Sequence, residues 1–123
     1  MIAMPADANP SGDIFGGWIM SLMDMAGGQV AYRFGGGRIV TVAVDEIVFL
    51  GPVAVGDEVS CDAAIVRTGR TSIRTHVEVW TTRRGGGSPF KVTEGDYTYV
   101  LVDRDGRPTP LPAKLQRRSP DAS

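Results

Sequence analysis

Cysteine and histidine are almost missing from this chain of 123 residues, which holds one Cys, Cys61, and one His, His76. A lone Cys closes no intrachain disulfide, and with a single His it supplies neither a zinc site nor a Cys/His nucleophile pair. No cofactor or metal is expected, and a reducing cytoplasm is the expected setting. Net charge is nearly missing too. Thirteen Lys and Arg against fourteen Asp and Glu leave a formal net charge of -1. Nothing global therefore favours nucleic acid or an anionic membrane as partner. A long uninterrupted apolar run is also absent. The stretch from Ile14 to Tyr32 carries Asp24, Gln29 and glycines at 16, 17, 27 and 28, which argues against a membrane span, and no basic-then-apolar leader opens the chain.

What is present suits one domain with one core. Residues 1–12 are rich in Pro, Asp and Asn and read as a loop, with at most a short strand at Met1 to Met4. From Gly16 to Phe34, apolar residues from Trp18 to Ala31 surround the helical wheel, which predicts a helix buried on most sides and ended by Gly35 to Gly37. Four strands follow, at Ile39–Leu50, Val59–Arg67, Thr71–Trp80 and Lys91–Asp103. In the third, Ile73, Thr75, Val77 and Val79 alternate with Arg74, His76, Glu78 and Trp80, the period of a sheet with one face on a core. In the last, Tyr97, Tyr99 and Leu101 share a face. The Pro-rich, charged stretch from Pro108 onward is expected to be poorly ordered, with residues 1–112 as the domain and 113–123 as a tail. One buried helix followed by four strands makes an α+β fold, a single antiparallel sheet wrapped around the helix, which is the layout of a hotdog domain. Apolar helix surface left over by so small a sheet calls for a second subunit.

Between Ile14 and Ala31 the only ionisable side chain is Asp24, in mid-helix. A carboxylate in such surroundings either has a raised pKa or needs donors to hold its charge, and such groups cluster at sites. A bland role, such as a bond to a neighbouring turn, stands beside that reading. The second feature is the helix start, Gly12-Asp13-Ile14-Phe15-Gly16-Gly17. Its free N–H groups could hold an oxyanion, although Asp13 could equally be a cap and the glycines a packing device. Gly16 and Asp24 are eight residues apart, roughly 12 Å along one helix, so one carbonyl cannot touch both. Two subunits with antiparallel helices would bring Asp24 of one to the helix start of the other. Arg67, Arg70, Arg74, Arg83 and Arg84, with Glu78 the only acid among them, form a stretch suited to an anion. Bland readings come first for His76, as a surface residue, for Cys61, as a small strand residue, and for Met20, Met23 and Met25, as core. Asp45 and Glu46 could orient backbone near a subunit seam.

The runs Met4-Pro5-Ala6-Asp7 to Asn9, GDIFGGWIMSLMDMAGG (12–28), RIVTVAVDEIVFLGPVAVGDEV (38–59), GRTSI (69–73) and VEVW (77–80) closely resemble the YciA-type acyl-CoA thioesterases. That resemblance implies a hotdog homodimer, commonly assembled into trimers of dimers, that hydrolyses acyl-CoA. It places the catalytic carboxylate on Asp24, the polarising helix start on Gly16 and Gly17, a loop amide on Asn9, and contacts to the CoA phosphates on Gly69, Arg70, Thr71 and Ser72. Ser11 stands where relatives often have Asn, and Met1 to Ala3 stand where relatives have a longer apolar segment before Met4. Asp24 would activate water or attack directly to form a mixed anhydride. The competing readings are a hotdog dehydratase or hydratase, which would need a His near the helix, and a non-catalytic acyl-CoA-binding sensor.

Overall fold

The computed structural model describes residues 1–4, 6, 8–10, 12–14 and 16–112. The expectations for Ser11 and for the 113–123 tail lie outside the described residues. The helix, α1, runs Gly16–Gly35. It stops because Gly36 takes φ 71°, cheap only for glycine, while its N–H caps the Tyr32 carbonyl at 2.9 Å. Four strands follow: β1 Ile39–Phe49, β2 Glu58–Thr68, β3 Ser72–Thr82 and β4 Phe90–Leu101. Each lies within two residues of its sequence-predicted bounds. They form one antiparallel sheet in the order β1-β4-β3-β2. At the β2 margin Ile2 makes a single isolated bridge to Glu58, where the sequence allowed a short strand. At the other margin β1 pairs with β4 alone, so its outer edge is open among the described residues.

The core lies between α1 and the inner face of the sheet. Ile73, Thr75, Val77, Val79 and Thr81 of β3 are all buried, as are Tyr97, Tyr99 and Leu101 of β4. From the helix side come Ile19, Met23, Gly27, Ala31 and Gly35. Fully buried side chains such as Met23 and Ile73 each stabilise the fold by about 2 kcal/mol. Gly27 permits the close approach: a Cβ there would meet the Tyr99 hydroxyl at 2.6 Å and Thr75 Oγ1 at 2.8 Å. Within one chain α1 is less enclosed than its composition suggests. Gly17, Ser21, Met25, Gln29 and Tyr32 form an exposed stripe, with Met25 65% and Tyr32 58% exposed. Among the described residues no helix is long and apolar enough to cross a membrane.

The expectation of disorder from Pro108 onward is overturned for residues 108–112. Pro108 bridges Val102, the Thr109 N–H donates to the Leu101 carbonyl at 2.8 Å, and Leu111 is buried in the core cluster. Composition weighs the prolines and charges of this segment, whereas one leucine buried beside Gly35 at the end of α1 holds it down.

Candidate active site

Asp24 lies half-buried on the flank of α1 that faces β1 and β4. Thr41 Oγ1 on β1 donates to Asp24 Oδ1 at 2.7 Å, and the Tyr99 hydroxyl on β4 donates to the same oxygen at 3.1 Å. Two neutral hydroxyl donors, from different strands, therefore meet one oxygen of this carboxyl group. Oδ2 accepts from none of the described residues. The Tyr99 hydroxyl shares its one proton between Oδ1 and the Asp24 carbonyl, at 2.9 Å, and the Tyr97 hydroxyl donates to the Met20 carbonyl at 2.8 Å. The two rings stack at 6.4 Å and 19°, so a tyrosine ladder ties the sheet to successive turns of the helix. Burial first, then the Asp24 charge, push the Tyr97 hydroxyl up to about 12 and Tyr99 higher still. Both remain donors at any physiological pH.

The helix start is formed by a leading loop that folds on itself. The Asn9 N–H donates to the Asp13 carbonyl at 2.7 Å, while Asn9 Oδ1 accepts the Asp13 N–H at 3.1 Å. Gly12 turns the loop at φ 86°, and Ile14 N–H binds the Val53 carbonyl at 2.8 Å, directing the chain into α1. Gly17 is open, with nothing within 4 Å of where a Cβ would stand, whereas Phe49 from the end of β1 closes on Gly16 at 3.3 Å. Gly69 to Ser72 form the tip of the β2–β3 hairpin, next to the opposite end of α1. A helix of this length spans roughly 30 Å, so one chain does not bring its hairpin tip to its own helix start. The structure thus joins Asp24 to Thr41 and Tyr99, and leaves Gly16, Gly17 and Asn9 at one end of the helix and Gly69, Arg70, Thr71 and Ser72 at the other.

The arginine-rich stretch divides. Arg74 is occupied by Asp96 at 2.8 Å, Asp45 at 3.5 Å and Glu46 at 3.7 Å. Arg83 pairs with Asp57 and covers the Phe90 ring at 4.8 Å. Arg67, Arg70 and Arg84 make no ion pair among the described residues. His76, read as a surface residue, is half-buried in a network on the outer face of the sheet, its Nδ1 2.7 Å from Asp96 Oδ1. Asp24 and α1 are on the other face, so the histidine a dehydratase would need is not beside the helix. Asp45 and Glu46 spend their charge on Arg74 where the β1 register slips, with Glu46 at φ 55°. Cys61 is half-buried, and burial pushes its thiol up. Met23 is fully buried, as read for core. Exposed Met25 instead lines a cleft of about 630 Å³ with Leu22, Ala26, Val59 and Cys61, on the flank of α1 away from Asp24. Among the described residues no group of three or more His, Cys, Asp and Glu could hold a metal ion.

Thr41 and Tyr99 were missed as site residues. Tyr99 was legible only as an inward-facing strand residue, and a threonine in a valine-rich strand carries no signal of its own.

One helix enclosed by an antiparallel sheet, with a carboxylate at mid-helix and an open glycine at the helix start, defines a hotdog-fold thioesterase domain. The sequence pattern of the Thioesterase superfamily matches residues 11–87. Over 116 residues the chain is 50% identical to the acyl-CoA thioester hydrolase YciA of Salmonella typhimurium, covering 92% of this chain and 87% of that protein. It is similar in structure to the hexameric thioesterase y2039 of Yersinia pestis, with TM-score 0.87 and 49% identity over 91% of this chain and 92% of that one. A hexameric hotdog fold thioesterase of Campylobacter jejuni gives TM-score 0.87 and 43% identity, covering 95% and 90%. The chain belongs to the YciA-type acyl-CoA thioester hydrolases of the thioesterase superfamily.

Proposed function

We propose that this enzyme hydrolyses acyl-CoA thioesters to the free acid and CoA, with Asp24 of one protomer acting on a thioester held at the helix start of its partner. The observation that carries this reading is the Asp24 carboxylate, fixed through Oδ1 by Thr41 and Tyr99 and set beside the strand whose outer edge is open. That edge bears exposed Val40, Val42, Val44, Val48, Phe49 and Leu50. An open edge with an apolar row is suited to β1 of a second copy across a two-fold axis, and three such pairs would make a hexamer like those of the relatives. Pairing there sets one chain's Asp24 against the other's Gly16 and Gly17.

In the proposed step, Asp24 Oδ2 takes a proton from water as the water oxygen attacks the thioester carbonyl carbon. The N–H groups of Gly16 and Gly17, with the Asn9 side-chain amide, receive the developing oxyanion, a contribution of about 3 kcal/mol for one such donor. Collapse of the intermediate expels the CoA sulfur, which takes the proton back from Asp24. Gly69 to Ser72 bind the CoA phosphates, Arg70 by charge and forked geometry. Apart from CoA, which is part of the substrate, the route uses no cofactor, and it suits a protein of the reducing cytoplasm.

Incubation with a panel of acyl-CoAs while free thiol is followed tests the reading. Thiol release is expected, and specific activity should fall in step with dimer dissociation on dilution. Tight binding without release would favour a sensor, and full activity in a monomer would overturn the shared site.

A further inference from the structure

The tip of the β2–β3 hairpin has little holding it from within. Beside the Thr68–Ile73 pair, the Gly69 N–H donates to the Ser72 carbonyl at 2.8 Å. Two of its carbonyls are held from outside: the Thr71 carbonyl accepts the Leu101 N–H at 2.9 Å, and the Arg70 carbonyl accepts the Leu111 N–H at 2.8 Å. Leu111 belongs to a strap, residues 102–112, that turns at Asp103 to Arg107 and returns along β4 through the Val102–Pro108 bridge. The Leu111 side chain is 2% exposed, and its Cδ2 lies 3.8 Å from where a Cβ of Gly35 would stand, beside Ile73 and Leu101. Leu111 thus pins the backbone beside Arg70 to the end of α1, while the Arg70 guanidinium stays out of every ion pair among the described residues.

We infer that Leu111 is a positioning residue for substrate binding, holding Arg70 in the conformation that meets the CoA phosphates. The inference rests on the reading of Gly69 to Ser72 as the phosphate segment. A tip released from the strap would have to be ordered again at each binding event, and that entropy would be charged to affinity for the nucleotide end of the substrate alone.

Two thioesters with the same acyl group separate this from general stability: the acyl-CoA, and the acyl-N-acetylcysteamine, which has no phosphates. Leu111→Ala should raise KM for acyl-CoA about tenfold, the scale of one charge-assisted hydrogen bond. Its kcat on acyl-CoA and its kcat/KM on the short thioester should stay near those of the parent. Leu111→Met, which conserves volume, should restore KM. Arg70→Ala should give the same selective loss, and the double variant should lose no more than either single one. Equal losses on both thioesters, or additive losses in the double variant, would overturn the inference. An Arg70 effect with no Leu111 effect refutes the strap alone, and an unchanged KM for Arg70→Ala refutes the phosphate reading itself. If Leu111→Ala does not fold, Leu111→Val carries the same test in the same direction at smaller size.

Discussion

Carboxylates occupy the two faces of the sheet in different company. On the outer face, Asp96 receives both Arg74 Nε at 3.0 Å and Nη2 at 2.8 Å, with His76 on its other oxygen. Its neighbours Glu78 and Glu94 share Lys91. On the inner face Asp24 has two hydroxyl donors on one oxygen and no cation among the described residues. A carboxylate surrounded by cations is neutralised and holds strands together. One held by neutral donors on a single oxygen leaves its other oxygen without a donor among the described residues. The outer cluster therefore serves the fold, and the inner one is where the proposed chemistry would sit.

Exchanging an acid for its amide on each face is the sharpest way to break that contrast. Asp24→Asn keeps an acceptor for Thr41 and Tyr99 but cannot take a proton. Its kcat should fall about a hundred- to ten-thousandfold, the range for a lost general base, with little change in Tm. Near-normal turnover by this variant would remove Asp24 from the mechanism. Asp96→Asn should do the reverse, lowering stability by about 2 kcal/mol in a denaturant titration while kcat/KM holds. Burial pushes the Asp96 carboxyl up, but hydrogen bonds from His76 and Arg74 outweigh it and hold the group below its usual range. A folded-state pKa that is lowered contributes stability above the unfolded value and loses it as pH falls through the folded one. The margin between wild type and Asp96→Asn should therefore be full at neutral pH and shrink below about pH 4. A margin that stays constant in acid would show that the pairing adds nothing. The smallest effects belong to the donors: Thr41→Val and Tyr99→Phe should each lower kcat about tenfold, as for one hydrogen bond, leaving KM nearly unchanged. A KM effect in place of a kcat effect would mean that they shape the pocket and do not aim the carboxylate.

Much of the architecture was legible because it is written in local pattern. Alternation through Ile73 to Val79 marks an inner and an outer face, and both are where the period puts them. Glycines at 35 to 37 end the helix as read, and Asp24 stands out as the only ionisable side chain between Ile14 and Ala31. The site was legible only in part. Thr41 and Tyr99 reach Asp24 from 17 and 75 residues away, and neither distance has a local signature. The arginine-rich stretch looked uniform, yet strand pairing hands Arg74 to Asp96 and Arg83 to Asp57 and leaves Arg70 outside every ion pair among the described residues.

By itself, then, the amino-acid sequence determined the elements, the two faces of the sheet and the identity of the unusual carboxylate, since each follows from periodicity or from one residue out of place. Tertiary structure alone decided which groups hold that carboxylate, which arginines are already spent, and that Leu111 returns to the hairpin. These are contacts between distant segments, set by how the sheet curls around the helix, and a hydrogen bond made across 75 residues has no trace in the order of the residues between.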